Sequence, residues 1–243
     1  MKGTTPAGAA TEQEASRWVR AMFGRIAPRY DLANHVLSLN LDRHWRAKTV
    51  ERVAKILERP GARALDLCCG TGDLLIALQS NSTSRVMGSD FSHPMLTAAQ
   101  EKIARRRWST PLFEADALSL PLPDRSLDLV TVAFGFRNLA DYQAGLAEMH
   151  RVLKPAGVAA ILEFSQPGGA VFGKLYGFYS RKVLPLIGGA LSGSRDAYSY
   201  LPASIEKFPS AEDLASRMRA AGFRAVEFIR MTGGTVALHL GTK

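Results

Sequence analysis

The feature that most constrains the fold is the stretch Ala64-Leu65-Asp66-Leu67-Cys68-Cys69-Gly70-Thr71-Gly72-Asp73. Its first half is a short apolar run of the kind that forms a strand buried on both faces of a parallel sheet. Gly70 and Gly72 then permit backbone angles and close approaches that a Cβ would block. Asp73 stands where a helix should open, placed to cap free N–H groups. A strand, a glycine turn and a helix in that order make the nucleotide-binding corner of a doubly wound sheet.

What the corner lacks narrows its ligand. A dinucleotide fingerprint needs a third small residue three positions after the second glycine, and Leu75 stands there. No Gly-Lys-Ser/Thr is present, which excludes a phosphate-cradling P-loop. Asp66 before the turn and Asp73 after it suit a ligand bearing an ammonium and a sulfonium better than one bearing phosphates. S-adenosylmethionine is such a ligand.

Around this corner the pattern alternates. Strands are expected over 63–68, 85–89, 112–115, 127–134 and 158–163, with helices over 73–78, 94–107 and 141–153. Lys154-Pro155-Ala156-Gly157 reads as a turn before the fifth strand. A helix over 210–221 leads to two closing strands, 226–231 and 235–240, joined by Thr232-Gly233-Gly234 as a hairpin. The sum is an α/β fold, a seven-stranded, mostly parallel sheet with helices on both faces. It fits the Rossmann-like sheet of class I SAM-dependent methyltransferases. Asp66, Asp90 and Asp116 end successive strands. Asp90 lies 24 residues beyond Asp66, near the spacing at which an acid reaches ribose hydroxyls. Asp116-Ala117 is placed for the adenine. The expected donor site is therefore Asp66, Gly70, Thr71, Gly72, Asp90, Asp116 and Ala117.

The remainder decorates a single domain over 12–243. Residues 1–11 are small and polar and read as a disordered tail. Residues 12–60 read as a helical cap: one helix from Glu12 that Pro28 ends, a segment over 30–38 without clean periodicity, and a helix capped by Asp42. The alternation breaks at 166–207, where Phe172, Tyr176, Phe178, Tyr179 and Ile187 interleave with Lys174, Arg181 and Lys182. This reads as a helical lid inserted after strand five.

The net charge of +9 suits nucleic acid, an anionic membrane surface, or neither. No added RNA-binding element appears, so nucleic acid is not an expected partner, and an RNA-modifying or other small-molecule methyltransferase is the runner-up. No apolar run reaches the roughly 20 residues of a membrane span. A cytoplasmic protein follows, with peripheral attachment to the inner face of the cell membrane as an option through the basic surface and the aromatic stretch 172–187. Adjacent Cys68 and Cys69 read as packing residues, and no His/Asp/Glu cluster suggests a metal. A homodimer stays open.

Several stretches are specific enough to resemble one family. Tyr30-Asp31-Leu32-Ala33-Asn34-His35-Val36-Leu37-Ser38 through Trp45, Phe134-Gly135-Phe136-Arg137-Asn138, and Arg151-Val152-Leu153-Lys154-Pro155-Ala156-Gly157 leading to Leu162-Glu163-Phe164-Ser165 are similar to signatures of the ubiquinone/menaquinone biosynthesis C-methyltransferases (UbiE/MenG type). Residues 198–209 and the closing Val236-Ala237-Leu238-His239 match as well. Ala33, Asp42, Ala133 and Ala156 depart from the usual Met, His, Ser and Gly.

The resemblance implies methylation of a ring carbon on a prenylated quinol. Tyr-Leu-Pro-Ala-Ser-Ile at 200–205 is more similar to the menaquinone members, so a demethylmenaquinol-like substrate is expected ahead of a ubiquinone precursor. Such a ring must lose a phenolic proton to become nucleophilic, at a cost of roughly 4 kcal/mol at pH 7 if tyrosine is the guide. Arg137 cannot act as a base, but it can stabilise the phenolate or orient a water. Asn138 would hold the second ring oxygen. Tyr30, His35 and Glu163 are the expected substrate-binding residues. An ion pair with Asp141 is the plain alternative for Arg137.

Overall fold

The computed structural model describes residues 3, 4, 6, 8–167 and 195–243. Its centre is a seven-stranded sheet ordered β3-β2-β1-β4-β5-β7-β6. The strands are β1 (Ala64–Leu67), β2 (Val86–Asp90), β3 (Leu112–Glu114), β4 (Leu127–Ala133), β5 (Leu153–Phe164), β6 (Arg224–Met231) and β7 (Val236–Thr242). The first five run parallel, and β7 is antiparallel to both neighbours. The order reverses between β1 and β4, which opens a crevice at their carboxyl ends.

Helices α1 (Glu12–Ile26), α2 (Tyr30–Leu37), α3 (Leu41–Leu57), α4 (Asp73–Ser80), α5 (His93–Arg105), α6 (Tyr142–Val152), α7 (Arg195–Lys207) and α8 (Ala211–Ala220) surround the sheet. Alternate strand residues feed two cores, as a two-residue period requires. Leu65, Leu67, Val130, Val132 and Ile161 pack with Leu146 and Met149 of α6 and Leu214 and Met218 of α8. Ala64, Leu129 and Leu162 face Val53 and Leu57 of α3 and Leu74, Leu75 and Leu78 of α4. A third cluster joins Val19, Met22 and Ile26 of α1 to Ala33 and Leu37 of α2, Met95 and Tyr200, roofing the crevice.

Several local expectations change. Residues 154–157 form no turn: β5 starts at Leu153, pairs Leu153 with Leu127, and accommodates the extra residues as a bulge. Ala156 there takes φ +63°, and its N–H donates to Lys243 O at 3.0 Å. Pro28 ends α1 without ending the helical path, because its φ suits the first turn of the 3-10 segment Ala27–Arg29 that runs into α2. Asp42 does not cap α3. Asn40, at φ +61°, precedes that helix, and Asp42 is buried one residue inside it. Asp73 is likewise inside α4, whose N-cap is Gly72, and its carboxylate meets Lys102 Nζ at 2.7 Å.

Within the expected tail, the described residues Gly3 and Thr4 pack against the body of the protein. Thr4 is 4% exposed, donates its N–H to Leu139 O at 2.8 Å, and shares a 2.6 Å hydroxyl contact with Tyr200. A Cβ on Gly3 would lie 2.3 Å from Leu139 O, so only glycine lets the segment approach this closely. Composition alone reads small polar residues as disordered because it cannot see such partners. Of the lid expected over 166–207, residues 168–194 lie outside the described residues, including the aromatic stretch 172–187.

Candidate active site

The turn after β1 is built from left-handed residues. Cys68, Gly70 and Gly72 take φ of +54°, +55° and +85°. A Cβ on Gly70 would meet no atom within 4 Å, because that residue faces open cavity. On Gly72 it would come 3.2 Å from Ala99 Cβ, so this glycine serves the packing of α5 on α4. A third glycine is needed opposite: a Cβ on Gly135 would stand 2.4 Å from Cys68 Cβ. The ends of β1 and β4 therefore touch, and the crevice closes at its base.

Asp90 ties the turn down. Its Oδ2 accepts from Gly70 N–H and its Oδ1 from Ser92 N–H, both at 2.9 Å. Burial raises its pKa to about 6, and the backbone donors limit that rise. Asp66 lies deeper. Thr131, its partner in the β1–β4 register, donates to Oδ1 at 2.7 Å. Its Oδ2 is buried without a hydrogen-bond partner, and burial raises the pKa to about 7.

A cavity of about 510 Å³ occupies the switch point, within the size range of small-molecule sites. Gly70, Asp90, Asp116, Ala117, Asn138 and Tyr30 line it together. Leu67, Phe91, Met95 and Leu118 supply apolar wall, and α1 adds Glu12, Gln13, Ser16 and Arg17. Three carboxylates thus face one guanidinium. With a glycine cradle that any Cβ would invade, this surface fits a cationic nucleoside and disfavours phosphates.

The other anticipated residues stand off this wall. Asp66 and Gly72 act behind the turn. Thr71 donates to Asp31 and receives a bond from Lys102 Nζ at 3.2 Å. His35 turns away from the cavity: its Nδ1 lies 2.8 Å from Asp42 Oδ2 and its Nε2 3.8 Å from Asp73. His35, Asp42 and Asp73 do place potential metal-ligand atoms within 4.8 Å of one another, a cluster invisible across 38 residues of sequence. Its carboxylates are already engaged, Asp42 by Arg46 and Ser38 and Asp73 by Lys102.

Arg137 and Asn138 form a short 3-10 turn, Phe136–Asn138, after β4. Arg137 is 4% exposed and sits behind the wall. Its carboxylate partner is Glu163 at 2.9 Å, while Asp141 caps α6 by accepting from Gln143 and Ala144. Burial works most strongly against the guanidinium charge, but Glu163, Tyr30 and Tyr200 together outweigh that effect and hold the group protonated above its ordinary range. Glu163, 1% exposed, also accepts from Arg137 N–H at 3.1 Å and Phe164 N–H at 2.8 Å. It is positioned to fix Arg137 rather than to meet a ligand. The Arg137 Nε–H is buried without a partner. Asn138 lies at the wall, its Oδ1 accepting from the Tyr200 hydroxyl at 3.0 Å. The Thr4 hydroxyl supports Tyr200 in turn, a residue pair that nothing in the local sequence pattern marks as part of the site. Tyr30, with its phenol pKa raised by burial and partly offset by Arg137, meets Phe23 edge-on at 5.9 Å.

Comparison with known proteins follows the same line. A profile of the ubiE/COQ5 methyltransferase family matches residues 10–243. A demethylmenaquinone methyltransferase of Thermus thermophilus is 46% identical over 223 residues, which is 91% of this chain and 100% of that protein. A ubiquinone/menaquinone biosynthesis C-methyltransferase UbiE of Citrifermentans bemidjiense is 45% identical over 234 residues, 95% and 98% of the two chains. Among solved structures, the [4+2]-cyclase SpnF superposes with a TM-score of 0.71 at 18% identity, over 100% of this chain and 99% of that one. A SAM-dependent methyltransferase from Aquifex aeolicus gives 0.59 at 20% identity over 81% and 88%. These two likenesses establish the fold alone, a Rossmann-like methyltransferase sheet.

Proposed function

This chain belongs to the ubiE/COQ5 methyltransferase family, and we propose that it methylates a ring carbon of a prenylated quinol, demethylmenaquinol in kind, using S-adenosylmethionine. The observation that carries the reading is one cavity whose glycine turn and carboxylates suit the cationic donor while Asn138, backed by buried Arg137, faces the same space. The donor, when bound, supplies a methyl group on a sulfonium, a good leaving group.

The protein's task is then to hold and activate the acceptor. Gly70 and Asp90 would hold the donor's ribose end, and Asp116 and Ala117 its adenine, between Leu67, Phe91 and Leu118. Asp66, buried behind the turn, would act on the ammonium end through its charge rather than by direct contact. Asn138, oriented by Tyr200, would donate to a ring oxygen and fix the carbon in line. Arg137 contributes field. A buried cation behind the ring lowers the cost of the phenolate, whose proton would leave to bulk water. As the methyl–sulfur bond breaks and the methyl–carbon bond forms, the ring carbon would then lose its own proton to solvent and regain aromaticity. Glu163 keeps that cation in place. Tyr30 would bound the ring pocket. His35, held by Asp42 outside the cavity, is better placed to brace α2 than to touch the ring. The chemistry calls for no metal.

Relatives named for both quinone pathways match similarly, and residues 200–205 favour the menaquinone side. Because the acceptor's tail lives in lipid, weak peripheral attachment to the membrane belongs to the proposal. Mass spectrometry of quinones from cells lacking this protein tests it: accumulated demethylmenaquinone supports the reading, a ubiquinone precursor shifts it to the other pathway, and an unchanged quinone pool refutes it.

A further inference from the structure

Among the described residues, the large apolar side chains left exposed all fall within ten positions. They are Leu32 at 57%, Val36 at 42%, Leu39 at 79% and Leu41 at 39%. Leu32 and Val36 stand one turn apart on α2, and Leu39 and Leu41 form the corner into α3. Scattered single leucines on a surface need no explanation, but a cluster in an otherwise well-buried protein marks a contact.

The corner is displayed under strain. Leu39 and Asn40 take φ of +52° and +61° in succession. Asparagine tolerates this region through its side chain, whereas the leucine side chain has no hydrogen bond to offer and only the backbone N–H of Leu39 is held, by Val36 O at 3.1 Å. The strained turn holds the most exposed leucine of the four at its tip.

The exposed arginines in the flanking sequence have no exposed acid among them: Arg25, Arg29 and Arg43 are exposed, and no Asp or Glu between positions 25 and 46 is. The two acids of the same stretch are engaged elsewhere, Asp31 by Lys102 at 2.5 Å and Asp42 by Arg46 and His35. An apolar tip flanked in sequence by exposed arginines complements an anionic bilayer, in which leucines enter the headgroup boundary and guanidiniums meet lipid phosphates. A second copy of the chain is a poorer fit: like charges would face each other. Four partly exposed aliphatic side chains also supply well under the roughly 800 Å² per partner of a stable dimer.

The patch also lies next to the cavity. The inward face of α2 packs Ala33 and Leu37 into the roof, and Tyr30 at its start lines the cavity. A surface docked on the outer face of α2 is therefore about one helix diameter, roughly 10 Å, from the site. We propose that the α2–α3 corner, with Leu32, Val36, Leu39 and Leu41 flanked by Arg29 and Arg43, is the element that docks this protein on an anionic membrane surface. This rests on the prenylated acceptor for its purpose, but not for its evidence.

The test is co-sedimentation of the full chain with vesicles of phosphatidylcholine alone, or with about a third phosphatidylglycerol. Wild type is expected to partition onto the anionic vesicles and only weakly onto the neutral ones. L32E and L39E are expected to lose about tenfold in partition coefficient, with unchanged S-adenosylmethionine affinity by calorimetry and unchanged turnover of a tailless, water-soluble quinol. L39W should show a blue-shifted emission on anionic vesicles. Wild type remaining in the supernatant, variants binding like wild type, or L39E dissolving a dimer seen by light scattering would each overturn the proposal. Turnover of the tailless quinol in those same cases would leave the enzymatic reading standing, and its absence would strike that reading separately.

Discussion

Arg137 and Glu163 form an ion pair 2.9 Å long in which neither side chain is more than 5% exposed. Two strands meet through it: the turn after β4 carries the guanidinium and β5 the carboxylate. A buried pair is weak evidence for stability but a strong constraint on geometry. Removing the carboxylate alone strands a buried cation. Glu163→Ala should cost about 3–5 kcal/mol in urea denaturation, and Glu163→Gln less. Where Glu163→Gln folds, kcat should fall while the calorimetric affinity for S-adenosylmethionine holds. Loss of donor affinity alone would place Glu163 in a different role.

Asp90 gives a pH signature. Burial raises its pKa to about 6, so the acceptor form that a ribose requires is present above that value. The part of donor affinity that Asp90 supplies should be constant above about pH 7 and weaken by up to about tenfold per unit below pH 6. Asp90→Asn should bind weakly at every pH and lose that dependence in calorimetric titrations.

Asp66 tests the same physics through stability. Its folded pKa, about 7, exceeds the unfolded carboxylate value, so the folded protein holds an extra proton in the window from about 4 to 7. Stability from this group therefore falls as pH rises through that window. At pH 8 a charged, half-satisfied Asp66 costs on the order of 4 kcal/mol. Asp66→Asn should raise the apo unfolding midpoint at pH 8, have little effect at pH 4, and weaken donor binding. A lower midpoint at pH 8 would show that Asp66 is better satisfied than its orphaned Oδ2 implies.

A hydrogen-bond chain, Thr4–Tyr200–Asn138, links residue 4 to the cavity wall. Tyr200→Phe deletes the bond that orients Asn138 and should lower kcat about tenfold with little change in donor affinity. Thr4→Val should do less. Tyr200→Phe in an Asn138→Ala background should add almost nothing, because the residue it positions is gone. Full additivity in that cycle would make Tyr200 merely structural.

How much of this was legible in the sequence follows from where each signal resides. The parallel sheet, the glycine turn and the acids at or just past the ends of β2 and β3, Asp90 and Asp116, depend on local patterns, apolar runs punctuated by glycine and acid, and Gly70, Asp90 and Asp116 line the cavity. Arg137 stood out in the sequence as a candidate, but its partner did not. Asp141 is near in sequence and Glu163 near in space, and only strand pairing brings β4 and β5 together. The Asp42–His35–Asp73 cluster and the buried Thr4 were hidden for the same reason, since side-chain partners from distant segments decide both. At 154–157 the turn residues were real, but tertiary pairing with Lys243 and Leu127 overrode their local preference.

That override leaves a stability margin. Ala156 holds φ +63° on the exposed bulge, a conformation costing a residue with a Cβ roughly 1–2 kcal/mol. Ala156→Gly, the residue the family usually carries there, should stabilise by about 1 kcal/mol after the entropy of glycine is subtracted, raising Tm by roughly 2–4 °C. Activity should not change.

The central claim is that one acid-lined cavity presents a methyl group to a quinol ring. The most direct measurement mixes the protein with methyl-labelled S-adenosylmethionine and a reduced, demethylated prenyl naphthoquinol, and locates the label by mass spectrometry. The predicted result is one labelled methyl on the ring carbon, at a rate reduced roughly 100-fold in Asn138→Ala while donor affinity is retained. An unlabelled quinol, with the label on another acceptor or with a pyridine nucleotide displacing the donor, would contradict it.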